Sequence, residues 1–121
     1  MQISSRTLDG VIVLDLDGGL GFDNYRQFRD EIEAVAAKPG TKIIVNLEKL
    51  SYLSSWGIGS LLSLANRVRK GGGDVAFANL QGNVSDLIHV MRLNTVFDLY
   101  DSVEEAAEVL RQREGETPAE S

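Results

Sequence analysis

The sequence contains no cysteine and only one histidine, His89. Without cysteine, the chain can form neither a disulfide nor a thiolate-based catalytic site. A lone histidine also argues against a transition-metal centre, which usually needs several histidine or cysteine ligands. We therefore expect no metal, no cofactor and an exposed, solvated His89. At 121 residues, the chain is long enough to bury roughly two-thirds of its unfolded surface without covalent staples.

Long apolar runs and an excess of positive charge are also missing. No stretch approaches the ~20 consecutive apolar residues of a membrane span, and residues 1–10 lack the basic start and apolar centre of a signal peptide. The chain carries 12 basic and 18 acidic residues, for a formal net charge of −6. This balance argues against nucleic acid or an anionic membrane surface as the main partner. The sequence thus predicts a cytoplasmic protein that binds no nucleic acid and no membrane.

Hydrophobic periodicity divides the chain into alternating strands and helices. Apolar and β-branched runs predict strands at residues 3–8, 11–16, 41–47, 74–78 and 96–100. Stripes of apolar residues at helical spacing predict four helices, whose stripes begin at Tyr25, Ile58, Val84 and Val103. The alternation predicts an α/β fold with a mostly parallel mixed sheet and an antiparallel edge hairpin. Residues 1–113 are predicted to form one domain, and residues 114–121 a disordered acidic tail.

Local signals predict how several elements begin or turn. Asp9-Gly10 is typical of a tight β-hairpin turn. Asp23 is the expected N-cap of the first helix. The spacing from Ser102 to Glu105 predicts a capping box at the start of the last helix.

The stretch from Leu50 to Gly59 is the strongest candidate for a functional site, because it joins the third predicted strand to a helix. Ser54 is predicted to be the N-cap, with its hydroxyl accepting a backbone N–H. Ser55 is then the first helical residue, with its hydroxyl facing solvent. Unpaired N–H groups and the helix dipole favour an anion there, including a phosphate on a side chain. Gly57 and Gly59 are expected to let a partner's surface come close.

Trp56 is the only tryptophan, and it is offset from the apolar stripe of its helix. Two interpretations stay open: Trp56 packs into a neighbouring loop, or it is exposed as a binding anchor. The Gly18-Gly19-Leu20-Gly21 segment follows a strand, but it lacks the full GxGxxG and P-loop patterns. A turn with positive φ is the favoured interpretation for it, with nucleotide binding as the alternative.

Charged residues elsewhere have structural explanations. Arg67, Arg69 and Lys70 lie in the last turn of the predicted central helix, where cations complement the helix dipole. Asp15 and Asp17 alternate along one strand, but no second group for acid–base catalysis is placed beside them. We therefore expect no catalytic residue.

The run LSYLSSWGIG at residues 50–59, directly preceded by a KIIVNL strand and Glu48-Lys49, resembles the signature of the STAS domain. This family is named for sulfate transporters and anti-sigma factor antagonists. Its signature has a hydrophobic pair, Asp or Ser, then Ser, a small residue, Gly, an aliphatic and a small residue. Gly19-Leu20, Asn24, Val96-Phe97 and residues 100–106 are similar to other recurring positions of the family. The resemblance covers residues 8–112.

This resemblance implies a switch protein without catalytic activity of its own, an anti-sigma factor antagonist. In stand-alone members, a partner serine kinase of the histidine-kinase-like ATPase fold, which is also the anti-sigma factor, phosphorylates the serine at the position of Ser55. The unphosphorylated form binds that partner, and a serine phosphatase resets the switch. Ser54, where the family often has aspartate, is the second choice for the modified residue, and Trp56 replaces a small residue.

The same resemblance makes Ser54, Ser55, Trp56, Gly57 and Gly59 the expected partner-binding residues. Two alternatives remain at this point. One is a sensor of a nucleotide or small ligand that uses residues 18–21 and 54–59, and the other is an interaction module that is never phosphorylated.

Overall fold

One mixed sheet of five strands forms the centre of the structure, a computed structural model that describes residues 1–115, with side chains as far as Arg113. The strands lie in the sheet in the order in which they occur in the chain. They are β1 (Gln2–Leu8), β2 (Val11–Leu20), β3 (Lys42–Leu53), β4 (Asp74–Ala78) and β5 (Leu99–Tyr100). β1 pairs with β2 in the antiparallel direction, and all other pairs are parallel. The predicted fold class is confirmed.

The described residues include four α-helices and one short 3₁₀ helix. They are α1 (Tyr25–Ala36), α2 (Ser55–Lys70), α3 (Gly82–Val90), the 3₁₀ helix (Leu93–Thr95) and α4 (Val103–Gly115). α4 therefore continues past the predicted domain end at residue 113. The rest of the predicted tail, residues 116–121, lies outside the described residues. Within residues 1–115, no helix is long and apolar enough to cross a membrane.

The first hairpin turns at Asp9-Gly10, as predicted. Both residues have positive φ, 52° for Asp9 and 82° for Gly10, which is the requirement of a tight turn that matches the twist of the strands. The turn places Leu8 opposite Val11.

β2 and β3 both extend beyond their predicted ends. β2 continues to Leu20 and β3 to Leu53, and the two extensions pair with each other with two irregularities in register. The extensions contain glycine and charged residues without the alternation typical of strands, so the predicted strand ends at residues 16 and 47 were wrong. The last strand is shorter than predicted, because the 3₁₀ helix precedes it and only Leu99–Tyr100 pairs with β4.

The two faces of the sheet are covered by different helices. On one face, Leu14, Val45 and Phe77 belong to a large core shared with α1, α2 and α3. On the other face, a smaller core joins the sheet to α4; its members are Val11, Val13, Ile44, Ala76, Ala78, Val103, Ala106, Ala107 and Leu110. Alanines on both sides of this second contact let α4 approach the sheet closely.

Side chains fix both ends of α4. The Ser102 hydroxyl accepts a hydrogen bond from the Glu105 N–H at 3.0 Å, and the Glu105 carboxylate accepts one from the Asp101 N–H at 3.0 Å. The Ser102 bond confirms the predicted cap, while Glu105 reaches back one residue further than in the usual capping box, to Asp101 and not to Ser102. Near the other end, Arg113 donates to the Asp74 carboxylate at the start of β4 at 2.7 Å.

Candidate functional site

The end of β3 and the start of α2 place two serines at the carboxyl edge of the sheet. Ser54 has an extended backbone, with φ −100° and ψ 176°, and its carbonyl accepts the Ile58 N–H at 2.9 Å. Ser55 is the first residue of α2 and is exposed, and the first turn of α2 contains no acidic residue. The Ser55 hydroxyl is therefore accessible from solvent at the positive end of the helix.

The Ser54 side chain does not cap α2, so the prediction of a capping hydroxyl was wrong. Its Oγ makes no cap hydrogen bond and is buried with no partner among the described residues. The reason lies in the sheet, because the Ser54 N–H donates to the Leu20 carbonyl at 3.1 Å and continues the pairing of β2 with β3. The hydroxyl instead lies beside Gly21, where a Cβ would be 3.0 Å from Ser54 Oγ.

Gly57 and Gly59 have different environments although both lie in the first turns of α2. Gly57 is buried, and a Cβ there would lie 2.4 Å from the Leu20 carbonyl oxygen and 2.7 Å from a Leu53 methyl. Gly59 is exposed, and a Cβ there would meet nothing within 4 Å. Gly57 therefore lets α2 pack on the end of β2, and this close packing explains the glycine without a partner. Gly59 remains accessible.

Trp56, Tyr25 and Phe22 pack together, and we call these three residues the aromatic cluster. The Trp56 ring stacks on Tyr25 with a centroid distance of 4.9 Å, and Phe22 meets it edge-on at 5.1 Å. Trp56 is nevertheless 49% exposed and Phe22 62% exposed. The structure thus combines the two interpretations of Trp56, because the ring packs on a neighbouring segment and still presents an apolar surface. Sequence patterns did not reveal Phe22, which lies outside any apolar stripe.

A groove between α1 and α2 lies directly beside Ser55 and has a volume of about 340 Å³. We call it the α1–α2 groove. Its lining residues are Tyr25 and Arg29 from α1 and Ser55, Trp56, Gly59, Ser60 and Ser63 from α2. Arg29 is the only charged side chain in this lining. Arg29 could not be recognised from the sequence, because one exposed arginine on a helix carries no distinguishing pattern.

Tyr52 covers the glycine segment that the sequence offered as a nucleotide loop. Gly18 has a positive φ of 115° as expected, but it lies within β2, at an irregularity in the pairing with β3, and not in a turn. A Cβ at Gly19 would lie 2.3 Å from the Tyr52 ring, and one at Gly21 would lie 2.1 Å from its hydroxyl. The close approach of Tyr52 therefore explains both glycines without a nucleotide.

Asn24, and not Asp23, stands at the N-cap position of α1, so that prediction was wrong. The Asn24 amide accepts from the Gly21 N–H at 2.9 Å and donates to the Gly19 carbonyl at 2.7 Å. These bonds fix the connection between β2 and α1. They thereby hold the start of α1, with Phe22 and Tyr25, next to Trp56.

Asp15 lies in a row of polar side chains that crosses the sheet beyond α4. Its carboxylate accepts from Arg6 at 2.8 Å and from the Asn46 amide at 2.7 Å, and Asn46 in turn accepts from Asn79 at 2.8 Å. Partial burial alone would raise the pKa of Asp15, but the hydrogen bonds from Arg6 and Asn46 outweigh it and the pKa lies below its usual value. The carboxylate is thus held in its charged form, which does not suit a general acid.

The remaining candidates lie away from Ser55. Arg67 is 3.8 Å from Glu33 and Arg69 is 3.9 Å from Asp74, while Lys70 completes the last turn of α2. His89 is exposed and donates from Nδ1 to the Ser85 carbonyl at 2.8 Å. Among the side chains that the structure describes, as far as Arg113, no group of three or more from histidine, aspartate or glutamate is arranged to hold a metal ion.

Comparison with known proteins gives relatives along most of the chain. BtrV of Bordetella bronchiseptica, named as an anti-sigma factor antagonist, is 25% identical over 107 residues, which is 88% of this chain and 92% of BtrV. The crystal structure of a protein from Thermotoga maritima, described in the same terms, has a TM-score of 0.84 at 21% identity and covers 90% of this chain and 94% of that one.

A structure of the Bacillus cell fate determinant SpoIIAA in its phosphorylated form has a TM-score of 0.66 at 23% identity, with 88% of this chain and 96% of that chain covered. The family model of the STAS domain matches residues 2–106, a range that contains the sheet, the first three helices and the whole Ser54–Gly59 region. The chain therefore belongs to the STAS domain family.

Proposed function

We propose that this protein is an anti-sigma factor antagonist that works by partner switching and has no catalytic activity of its own. The observation that carries the proposal is the exposed Ser55 hydroxyl at the first position of α2, inside the STAS signature. The names of relatives such as BtrV support the same role. The expected partner is an anti-sigma factor that is also a serine kinase of the histidine-kinase-like ATPase fold.

In this proposal, phosphorylation of Ser55 turns binding off. The kinase transfers the γ-phosphoryl group of ATP to Ser55 Oγ, so that a P–O bond to serine forms, the bond to ADP breaks and the hydroxyl proton is released. A serine phosphatase hydrolyses the ester and restores the hydroxyl. The added phosphate carries about −1.5 to −2 charges, which resist burial in an interface. The unphosphorylated form binds the anti-sigma factor, and the phosphorylated form releases it.

Burial distinguishes Ser55 from Ser54 as the modified residue. The Ser54 Oγ is buried beside Gly21, whereas Ser55 is exposed. A kinase must bring the hydroxyl oxygen in line with the γ-phosphorus, which an accessible side chain permits and a buried one does not. Although Ser54 does not cap α2, its burial still favours Ser55 as the modified residue.

The expected partner surface is centred on Ser55, Trp56 and Gly59. Trp56 and Phe22 supply exposed aromatic area next to the serine, and large aromatic side chains often dominate binding energy. Ser54 Oγ and Gly57 are buried, so these two residues lie beneath the surface and help to position it.

The test is to purify the protein from its native host, identify the chains that accompany it and map its phosphopeptides. We expect an ATPase-like partner and a phosphate on Ser55. A phosphate on Ser54 would overturn the choice of residue, and an ATPase-like partner without any phosphate would favour an interaction module. A bound nucleotide with no such partner would favour a sensor instead.

A further inference from the structure

Arg29 occupies a special position relative to Ser55, because both line the α1–α2 groove from opposite helices. Arg29 follows Tyr25 by four residues on α1, so the two side chains share one face of the helix. The Tyr25 ring stacks on Trp56 at 4.9 Å, and Trp56 follows Ser55 directly. The stack therefore fixes the face of α1 that carries Arg29 towards the start of α2.

Arg29 forms no ion pair within the described part of the chain. Ion pairs among these residues involve Arg6, Arg67, Arg69, Arg111 and Arg113, but not Arg29. Its side chain is exposed, and the groove lining offers it hydroxyl groups but no carboxylate. A cation with no carboxylate partner in the described protein thus borders the groove that also contains the Ser55 hydroxyl.

The floor of the groove leaves room for a tetrahedral anion. Gly59 has no side chain, and a Cβ there would meet nothing within 4 Å. Ser60 and Ser63 are small, and the Ser60 hydroxyl is already used, because it donates to the Trp56 carbonyl at 3.1 Å. A group that extends from Ser55 into the groove therefore has open space at Gly59 and one charged side chain in the lining, Arg29.

We propose that Arg29 is the internal counter-ion of a phosphate on Ser55. The inference rests on the proposed function, since it describes what happens to the phosphate after its transfer. A guanidinium group matches two phosphate oxygens with parallel N–H donors. The pair draws the phosphate into the α1–α2 groove, beside the aromatic cluster. Phosphorylation then blocks the partner by filling the groove as well as by adding charge, and Arg29 is the positioning residue.

The test measures the second pKa of the phosphate, whose ordinary value is about 6. Phosphoserine is introduced at position 55 of the full chain during translation, and the ³¹P resonance is followed against pH. A nearby cation favours the dianion, so we expect the pKa to be about 0.5 unit lower in the parent chain than in Arg29→Ala, on the scale of an exposed ion pair. Arg29→Lys should give an intermediate value, because it keeps the charge and loses the paired donors.

Arg26→Ala is the matched control. It removes the same charge from the same helix, but Arg26 lies outside the groove lining and contacts the Tyr25 ring at 5.7 Å. We expect a clearly smaller shift for this variant. The difference caused by Arg29→Ala should also shrink at high salt, because screening weakens an exposed pair. Melting curves establish that each variant is folded.

Equal pKa values in the parent and Arg29→Ala chains would overturn the proposal, as would equal shifts for Arg26→Ala and Arg29→Ala. If Arg29→Ala does not fold, the comparison of Arg29→Lys with the parent still tests the proposal. An unchanged phosphate pKa in Arg29→Lys would contradict a bidentate pair between Arg29 and the phosphate. The result does not depend on any kinase, because the phosphate is installed during synthesis. Failure of the proposed function, seen as an unmodified Ser55 in the host, is therefore a separate outcome.

Discussion

The amino ends of α2 and α4 both follow a serine, but the two helices begin in different ways. At α4, the Ser102 hydroxyl accepts the Glu105 N–H, and Glu104 and Glu105 place negative charge in the first turn. At α2, the serine makes no cap hydrogen bond, and the first turn has no acidic residue. The start of α4 is thus closed by its own side chains, whereas the start of α2 is left open to an external anion or partner.

The largest expected difference between the two helix starts concerns partner binding at Ser55. Ser55→Ala should bind the anti-sigma factor whether or not the kinase is active, and Ser55→Glu should weaken binding by about 3 kcal/mol, roughly 150-fold, because the partner must desolvate the added charge. Both variants should fold, since alanine is a good helix former and a carboxylate near a helix start is mildly stabilising. Dissociation constants and melting curves measure these effects.

Ser5→Glu is the control for Ser55→Glu. It adds the same charge at an exposed position on β1, away from α2, and should leave affinity unchanged. Equal affinities for the Ala and Glu variants at position 55 would place Ser55 outside the interface and contradict partner switching.

Gly57→Ala should produce the next largest effect, this time on stability. Its Cβ would lie 2.4 Å from the Leu20 carbonyl oxygen, so we expect a loss of about 2 to 3 kcal/mol from overpacking. Gly59→Ala is a matched control two residues away in open space, and it should gain about 0.5 to 1 kcal/mol because alanine favours the helix. Urea denaturation measures both. A mild effect of Gly57→Ala would mean that α2 is free to shift on β2.

Trp56→Ala should weaken partner binding by about 2 kcal/mol, the size expected for an aromatic anchor. The loss of stability should be smaller, about 0.5 to 1.5 kcal/mol, since the ring is half exposed and mainly loses its aromatic pairs. Met91→Ala is the control, because Met91 at the end of α3 is 48% exposed against 49% for Trp56. Binding isotherms that show equal losses for the two variants would remove the aromatic cluster from the interface.

The smallest expected effects compare the two serines directly. Ser102→Ala removes a hydroxyl that accepts the Glu105 N–H at 3.0 Å, and it should destabilise the protein by about 1 kcal/mol. Ser54→Ala removes a buried hydroxyl without a described partner, so it should be neutral or slightly stabilising. Thermal unfolding of the two variants checks the contrast. A loss above about 1 kcal/mol for Ser54→Ala would show that this hydroxyl is hydrogen-bonded in solution.

Features that depend on local periodicity could be predicted from the sequence. The stripe of α2 and the exposed position of Ser55 follow from spacing along one helix, and the cap at Ser102 depends on residues three apart. The extensions of β2 and β3 could not be predicted in this way. Asp17 and Lys49 are in extended structure because the two segments pair with each other, and no local pattern in either segment records the partner.

Contacts between distant segments explain the other errors at the site. Gly57 and Gly59 look equivalent in the sequence, and only the position of the Leu20 carbonyl separates a buried glycine from an exposed one. Ser54 fits the pattern of a capping residue, but its N–H donates to the Leu20 carbonyl and its side chain lies beside Gly21 instead of over the start of α2. In both cases the end of β2 determines the environment of the residue, and it lies more than thirty residues away in the chain.

The contact between Gly57 and the Leu20 carbonyl also bears on how information passes through the protein. Gly57 places no side chain between α2 and the Leu20 carbonyl at the end of β2. The backbone contact therefore sets the distance of Ser55 from the sheet, and a packed interior of low compressibility keeps that distance constant. In the proposed switch, a phosphate on Ser55 would change the charge of the surface and fill the α1–α2 groove while the backbone keeps its position. Such a switch needs no conformational relay, so its speed depends only on enzymes and on dissociation of the complex.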